Sequence, residues 1–192
     1  MVRYNAVEDP LCYPGSHVLR NKADIKDQDQ LDEFEQLMFD SRAEEALPDG
    51  DLDFTHYRAL HRHFFQDVYE WAGETRTIRT GKGENWFCYP EYIENEANRL
   101  FNELAARDHL ANTESKDAFA GDAGWLLAEI NAIHPFREGN GRIQLVFLTM
   151  LTRNAGYELD EGKLEPKRFL EAMIRSFSGD LAPLAGEIRR MI

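Results

Sequence analysis

The stretch His134-Pro135-Phe136-Arg137-Glu138-Gly139-Asn140-Gly141-Arg142 gathers the groups of this chain best suited to chemistry. Gly139 and Gly141 flank Asn140, a pattern that permits positive φ and turns successive backbone N–H groups toward one point. The apolar segment from Ile143 to Leu151 follows at once, so the stretch also opens a helix whose first N–H groups lack partners. Such a cradle takes an anion, and phosphate is the guest it suits. Arg142 strengthens that reading, because a cation in a first helical turn is disfavoured by roughly 0.3–1 kcal/mol unless an anion sits there. Glu138 alone would repel the guest. A bridging Mg²⁺ removes the conflict, since that ion commonly takes one or two carboxylates plus substrate phosphates. His134 precedes a proline and is expected in extended backbone; its imidazole suits a general base that takes a proton from an attacking hydroxyl. Phe136 reads as the apolar anchor of the loop. His61 and His63 lack the i,i+4 spacing of paired metal ligands on a helix and read as partly exposed, while His17, His56 and His109 have no chemical company.

These groups need a frame, and the apolar spacing supplies one made mostly of helices. Residues 1–26 lack periodicity and carry turn signals at Asp9-Pro10 and Pro14-Gly15, so they read as an irregular arm. One helix is expected from near Asp29, with Leu31, Phe34, Leu37 and Met38 inward, to Pro48-Asp49-Gly50. A second runs from Asp53 through Phe54, Tyr57, Leu60, Phe64, Val68 and Trp71 to Gly73. Thr75 to Cys88 alternates, turns at Gly81-Lys82-Gly83 and resumes at Trp86, the pattern of a short hairpin. Pro90 opens a helix carrying Ile93, Ala97, Leu100 and Leu104, and Ser115 caps another through Ile133. The helix from Arg142 to Asn154 is apolar almost all round and is expected to be central and buried. Pro166 begins a further helix with Phe169, Leu170, Met173, Ile174 and Phe177 inward, and a short terminal helix holds Leu184 and Ile188. The fold class is all-α with a small β-hairpin, and residues 1–192 read as a single domain.

The surface narrows the partners. With 22 Lys+Arg against 35 Asp+Glu and a net charge of −13, the chain lacks the basic face that a nucleic-acid polymer or an anionic membrane would require. Cys12 and Cys88 belong to no metal-spaced pair and read as free thiols in a reducing compartment. No apolar run approaches the ~20 residues of a spanning helix, and the amino terminus does not read as a signal peptide. A cytoplasmic location is expected, with delivery into another cell left open.

The nine-residue stretch is similar to the Fic motif, His-x-Phe-x-Asp/Glu-Gly-Asn-Gly-Arg-x-x-Arg. The likeness extends to Val68-Tyr69-Glu70-Trp71-Ala72-Gly73-Glu74, Arg76-Thr77-Ile78 and Phe87-Cys88, so residues from about 50 to 178 look Fic-like. Leu19-Arg20-Asn21-Lys22 resembles the start of the stand-alone bacterial Fic toxins. The resemblance implies a Fic-like helical bundle with a hairpin flap, and a Mg²⁺-dependent transfer of AMP from ATP to a Ser, Thr or Tyr hydroxyl of a target protein. It implies that His134 is the base, that Glu138 holds Mg²⁺, and that Gly139, Asn140 and Gly141 cradle phosphate beside Arg142. Lysine at position 141 would have pointed to the kinase-like Doc branch, so Gly141 favours nucleotide transfer. Arg79, Thr80, Gly81, Lys82, Gly83, Trp86 and Phe87 form the implied flap, which holds the target backbone by strand addition; Trp86 and Phe87 could clamp the target side chain. Thr80-x-x-x-Glu84-Asn85 matches the letters of the family's inhibitory motif but lies in the flap, so a separate small antitoxin is the implied inhibitor. The pattern breaks at Leu145, where the second motif arginine is missing and no donor remains. That leaves three readings: a slow enzyme, another nucleotide donor, or an inactive scaffold that binds partners.

Overall fold

The helices begin where the sequence offers caps. In the computed structural model, which describes residues 9–82 and 85–192, α1 spans Gln28–Ala43 and α2 spans Phe54–Phe65. Asp27 accepts the Gln30 N–H and Asp53 the His56 N–H, each satisfying an orphan donor of the first turn. Helix α3 (Ile93–Ala106) follows a 3-10 turn at Pro90–Tyr92, and α4 (Lys116–Ile133) is capped by Ser115, whose hydroxyl accepts the Ala118 N–H. Helix α5 spans Asn140–Asn154, and α6 (Pro166–Ser176) and α7 (Ala182–Met191) each carry proline in the first turn. Strand β1 (Gly81–Lys82) pairs antiparallel with β2 (Asn85–Trp86), Gly81 opposite Trp86 and Lys82 opposite Asn85.

The bundle is organised around α4, which packs against α3, α5, α6 and α7 and buries Phe119, Ala123, Leu126, Leu127 and Ile130. A second apolar centre lies between α2, α3 and α5. There Tyr57 packs on Phe101, Phe136 and Phe147, with ring centroids 5.5, 5.6 and 5.3 Å away.

Several local expectations are corrected. Helix α2 stops at Phe65, and turns carry the chain to Gly73. Val68, Tyr69 and Ala72 are still buried, so consecutive turns kept the helical spacing of apolar residues without the helix. Helix α1 ends at Ala43, short of Pro48, and its inward face is Leu31 and Glu35 while Leu37 is 62% exposed. On α6, Leu170 and Ile174 are exposed rather than core residues. Gly81 and Lys82 belong to β1 rather than to the turn, and Gly83 lies outside the described residues. Helix α5 is not buried all round. Ile143, Phe147, Leu148 and Leu151 face the core, whereas Leu145, Val146, Thr149 and Met150 line an open groove of about 980 Å³. Of the arm, residues 9–26 are irregular as expected, yet they are packed: Val18 and Leu19 are buried, and the Lys22 N–H donates to Val68 O at 2.9 Å.

Candidate active site

The motif loop leaves α4 through His134, which takes left-handed backbone (φ 49°, ψ 63°) instead of the extended conformation expected before proline. Closing the helix overrides that local preference. The His134 N–H donates to Ile130 O at 2.8 Å, and the turned chain exposes the last carbonyls of α4. The buried Arg76 takes them up. Its Nε donates to His134 O at 2.8 Å and its Nη2 to Ile133 O at 3.1 Å. The same guanidinium reaches Ile78 O at 2.7 Å and Cys88 O at 2.6 Å, joining the base of the hairpin to the C-terminal end of α4.

His134 is buried, and Phe87 stacks on it face to face at 3.7 Å and 2°. Burial holds the imidazole well below its ordinary pKa, and the positive charges of Lys82 and Arg76 push the same way. The ring is therefore neutral near pH 7, the state a proton acceptor requires. Phe87 is spent on this contact and is 5% exposed, whereas Trp86 is 45% exposed with the Arg79 guanidinium over its ring at 4.8 Å. Of the two aromatic residues expected to clamp a target side chain, Trp86 is the exposed one.

Phe136 anchors the loop as expected, fully buried between Tyr57 and His61. His61 and His63 are not the partly exposed residues their spacing suggested. Both are buried, and His61 supports the loop, its Nε2 bonding Glu138 O at 3.0 Å and its Nδ1 accepting the Gly73 N–H at 2.8 Å. His63 Nε2 bonds Arg42 O, and His56, buried as well, bridges Pro48 O and the Leu52 N–H. A histidine with both faces inside a helical pair is invisible to spacing rules written for metals.

The Asn140 side chain is internal: its Oδ1 accepts the Phe136 N–H at 3.0 Å and its Nδ2 donates to Phe136 O at 2.8 Å. That staple curls the loop and leaves only the backbone of Asn140 for an anion. Gly139 is required by its φ of +82° and because a Cβ there would lie 2.4 Å from Phe65 Cζ. Gly141 does not need positive φ as expected; it is helical, with open space where a Cβ would project. Arg137 points away from the cradle and pairs with Asp9 of the arm at 2.6 Å, both side chains 8% exposed.

One cavity, of about 340 Å³, brings His134, Glu138, Gly139, Gly141 and Arg142 together with Lys82 of the hairpin. Asn131, Gln144 and an apolar wall that includes Leu164, Phe169 and Met173 complete it; of these the sequence marked only Phe169 and Met173, and as core rather than site residues. Leu145 lines this cavity and also the larger groove. Glu138 is half-buried, and its Oε1 accepts the Gly139 N–H at 2.9 Å. Among the described residues no set of three His, Cys, Asp or Glu side chains is arranged to hold a metal. A lone carboxylate in the cavity wall fits a cation that draws its other oxygens from substrate phosphates and water.

Arg142 has an acidic partner on α1. Its Nη2 donates to Glu35 Oε2 of α1, and Glu35 Oε1 accepts the Tyr69 hydroxyl. The guanidinium lies over the Phe65 ring at 4.6 Å and stands 4.0 Å from Glu138 Oε1. Burial raises the Glu35 pKa even though the Arg142 charge opposes the shift. The available signal was faint, a glutamate four residues after the inward Leu31.

Comparison with known proteins identifies relatives of the whole chain and of its fold. The sequence model of the Fic/DOC family matches residues 51–152, which reach from α2 through most of α5. A probable protein adenylyltransferase, y4lH of Sinorhizobium fredii, is 88% identical over the whole of both chains. The probable protein adenylyltransferase Fic of Escherichia coli is 33% identical, covering 95% of this chain and 91% of that protein. Among solved structures, the BepC protein of Bartonella tribocorum with bound AMPPNP superposes with a TM-score of 0.84 at 26% identity, covering 94% of this chain and 95% of that one. A helix-opening motif loop, a hairpin beside it and this breadth of likeness make the chain a member of the Fic/DOC family.

Proposed function

We propose that the chain is a protein adenylyltransferase that moves AMP from ATP to a hydroxyl side chain of a target protein. The observation that carries this reading is the convergence of His134, Glu138, Gly139, Gly141 and Arg142 on one cavity at the start of α5. The two relatives described above carry the name probable protein adenylyltransferase, and the BepC structure holds AMPPNP, an ATP analogue. The neutral imidazole of His134 takes the proton of the target hydroxyl. The oxygen attacks the α-phosphorus, the bond to the β-phosphate breaks, and pyrophosphate leaves as AMP joins the target. Backbone N–H groups at the α5 start face the phosphates, where they stabilise developing negative charge, and Arg142 contributes a fixed positive charge. Glu138 is the residue that would hold Mg²⁺, whose chemistry is to neutralise phosphate charge and orient the leaving group.

Of residues 79–82 and 86 in the hairpin, Arg79 and Trp86 are exposed, Lys82 is half-buried, and Thr80 and Gly81 are buried; a target strand would add along the side that Arg79 and Trp86 present. The groove along Leu145, Val146, Thr149 and Met150 gives a separate helix an apolar bed next to Arg142, which supports control by a small antitoxin acting in trans. A second reading rests on Leu145, whose apolar side chain stands in the cavity wall: transfer is slow, uses another nucleotide donor, or is lost in favour of partner binding.

Incubation with α-labelled ATP, Mg²⁺ and a bacterial lysate separates these. Label on a protein band, reduced about 10²–10⁴-fold by His134→Ala, is the expected result. Equal labelling by the wild type and the variant would sink the assignment. Label supplied by a different nucleotide in the same assay would support the second reading.

A further inference from the structure

We propose that Glu35, held by Tyr69, is a positioning residue that presents the guanidinium of Arg142 to the phosphates of the bound nucleotide. This rests on the reading of Arg142 as a phosphate-binding residue. The three side chains come from distant parts of the chain and meet through defined atoms: the Tyr69 hydroxyl on Oε1 of Glu35, and Arg142 Nη2 on Oε2. Every member is itself fixed. Glu35 is 6% exposed, Tyr69 is buried and stacks on Trp71 at 4.3 Å, and Arg142 lies over Phe65 and, at 5.5 Å, Phe39.

The geometry favours an anchor over a latch. Withdrawing Arg142 to meet a phosphate would leave a buried carboxylate without its counter-charge, a costly arrangement. Burial already pushes the Glu35 carboxyl toward its neutral form while Arg142 is in place. The phosphates therefore receive the remaining donors of the fork while Nη2 stays on Glu35. A planar guanidinium gripped at one corner and stacked on a ring keeps one orientation, so less rotamer freedom is lost when phosphate arrives. The device matters more in this chain than it would beside a second arginine. Leu145, one turn beyond Arg142, lines the same cavity and has nothing to donate.

The test is a double-mutant cycle read as ATP affinity in the presence of Mg²⁺. Calorimetry compares the wild type, Glu35→Gln, Arg142→Gln and the double variant, and the cycle is repeated with Tyr69→Phe in place of Glu35→Gln. Glu35→Gln keeps the shape, removes the charge, and is expected to weaken ATP about tenfold, within the usual coupling of contacting residues. In the Arg142→Gln background the same change is expected to cost less than about twofold, because its effect runs through the arginine. Tyr69→Phe leaves the carboxylate in place and should follow the same pattern with a smaller loss, which keeps the test valid if Glu35→Gln folds poorly. An equal loss in both backgrounds would overturn the proposal, since a purely structural role does not depend on Arg142. Tighter ATP binding by Glu35→Gln would overturn it too, identifying Glu35 as a competitor of phosphate. If Arg142→Gln leaves ATP affinity unchanged, the phosphate role of Arg142 fails and this inference falls with it.

Discussion

Acidification is expected to destabilise the fold through His61. The ring has no exposed surface, and its two nitrogens meet the Gly73 N–H at 2.8 Å and Glu138 O at 3.0 Å. Only the neutral Nε2–H tautomer satisfies both, because a proton on Nδ1 would face another donor. Burial, offset in part by the Glu138 carbonyl and reinforced by the Arg142 charge, pushes the pKa from 6.5 down to about 3. The unfolded chain therefore takes up a proton below pH 6.5 while the folded chain does not until about pH 3. Stability is complete above the unfolded pKa and declines as pH falls through that window, by about 1.4 kcal/mol per pH unit for this one group. Between pH 6.5 and 5 the loss amounts to about 2 kcal/mol. Urea unfolding at pH 7.5, 6 and 5 of the wild type and of His61→Gln tests the reasoning. Glutamine keeps a donor for Glu138 O but leaves the Gly73 N–H unmet, so the variant starts about 1–3 kcal/mol less stable. It does not titrate, so the gap should close by about 2 kcal/mol on going to pH 5. His134 also has a lowered pKa and contributes to both curves, so the difference isolates His61. Parallel stability curves would refute the argument.

Gly139→Ala should reduce AMP transfer by about 10²-fold, because the added methyl meets Phe65 at 2.4 Å at a residue already at φ +82° and displaces the cradle; labelling assays with retained folding by circular dichroism check it, and activity within twofold of wild type counts against it. Arg76→Lys should cost about 2–4 kcal/mol in urea unfolding, since three ammonium donors cannot reproduce a fork that serves four carbonyls; a loss under 0.5 kcal/mol would show those bonds to be replaceable. Leu145→Arg is expected to raise AMP transfer about tenfold by restoring a charge-assisted donor to the cavity, and unchanged labelling would place the limiting step elsewhere. The pH profile of kcat/KM for ATP should stay level as pH falls from 7.5 to 6.5, because His134 titrates well below 6.5 in the free protein; an acid limb centred above 6.5 would contradict the neutral-base assignment.

Much of the frame was legible because its causes are local. Ser115 caps α4 as its type predicts, Pro90 and Pro166 mark helix starts, and Ile93, Ala97, Leu100 and Leu104 line the inward face of α3. The misreadings share a cause as well. Apolar spacing marks what is buried and not which backbone buries it, so the turns after Phe65 read as helix. A pre-proline residue favours extended backbone in isolation, and the capping of α4 by His134 and Arg76 outweighs that preference.

The sequence by itself determined the chemistry on offer: a histidine, a carboxylate, a glycine-bounded cradle and an arginine, held within nine consecutive residues where spacing alone keeps them near one another. The tertiary structure decided which of these are ready to act and what holds them. The neutrality of His134 depends on its burial, with the Phe87 ring stacked on it, and on the nearby charges of Lys82 and Arg76. The setting of Arg142 depends on Glu35, 107 residues away in sequence, and the shape of the loop rests on His61 and Phe65. Desolvation and hydrogen-bond geometry act between residues that only folding brings into contact, and no pattern along the chain encodes them.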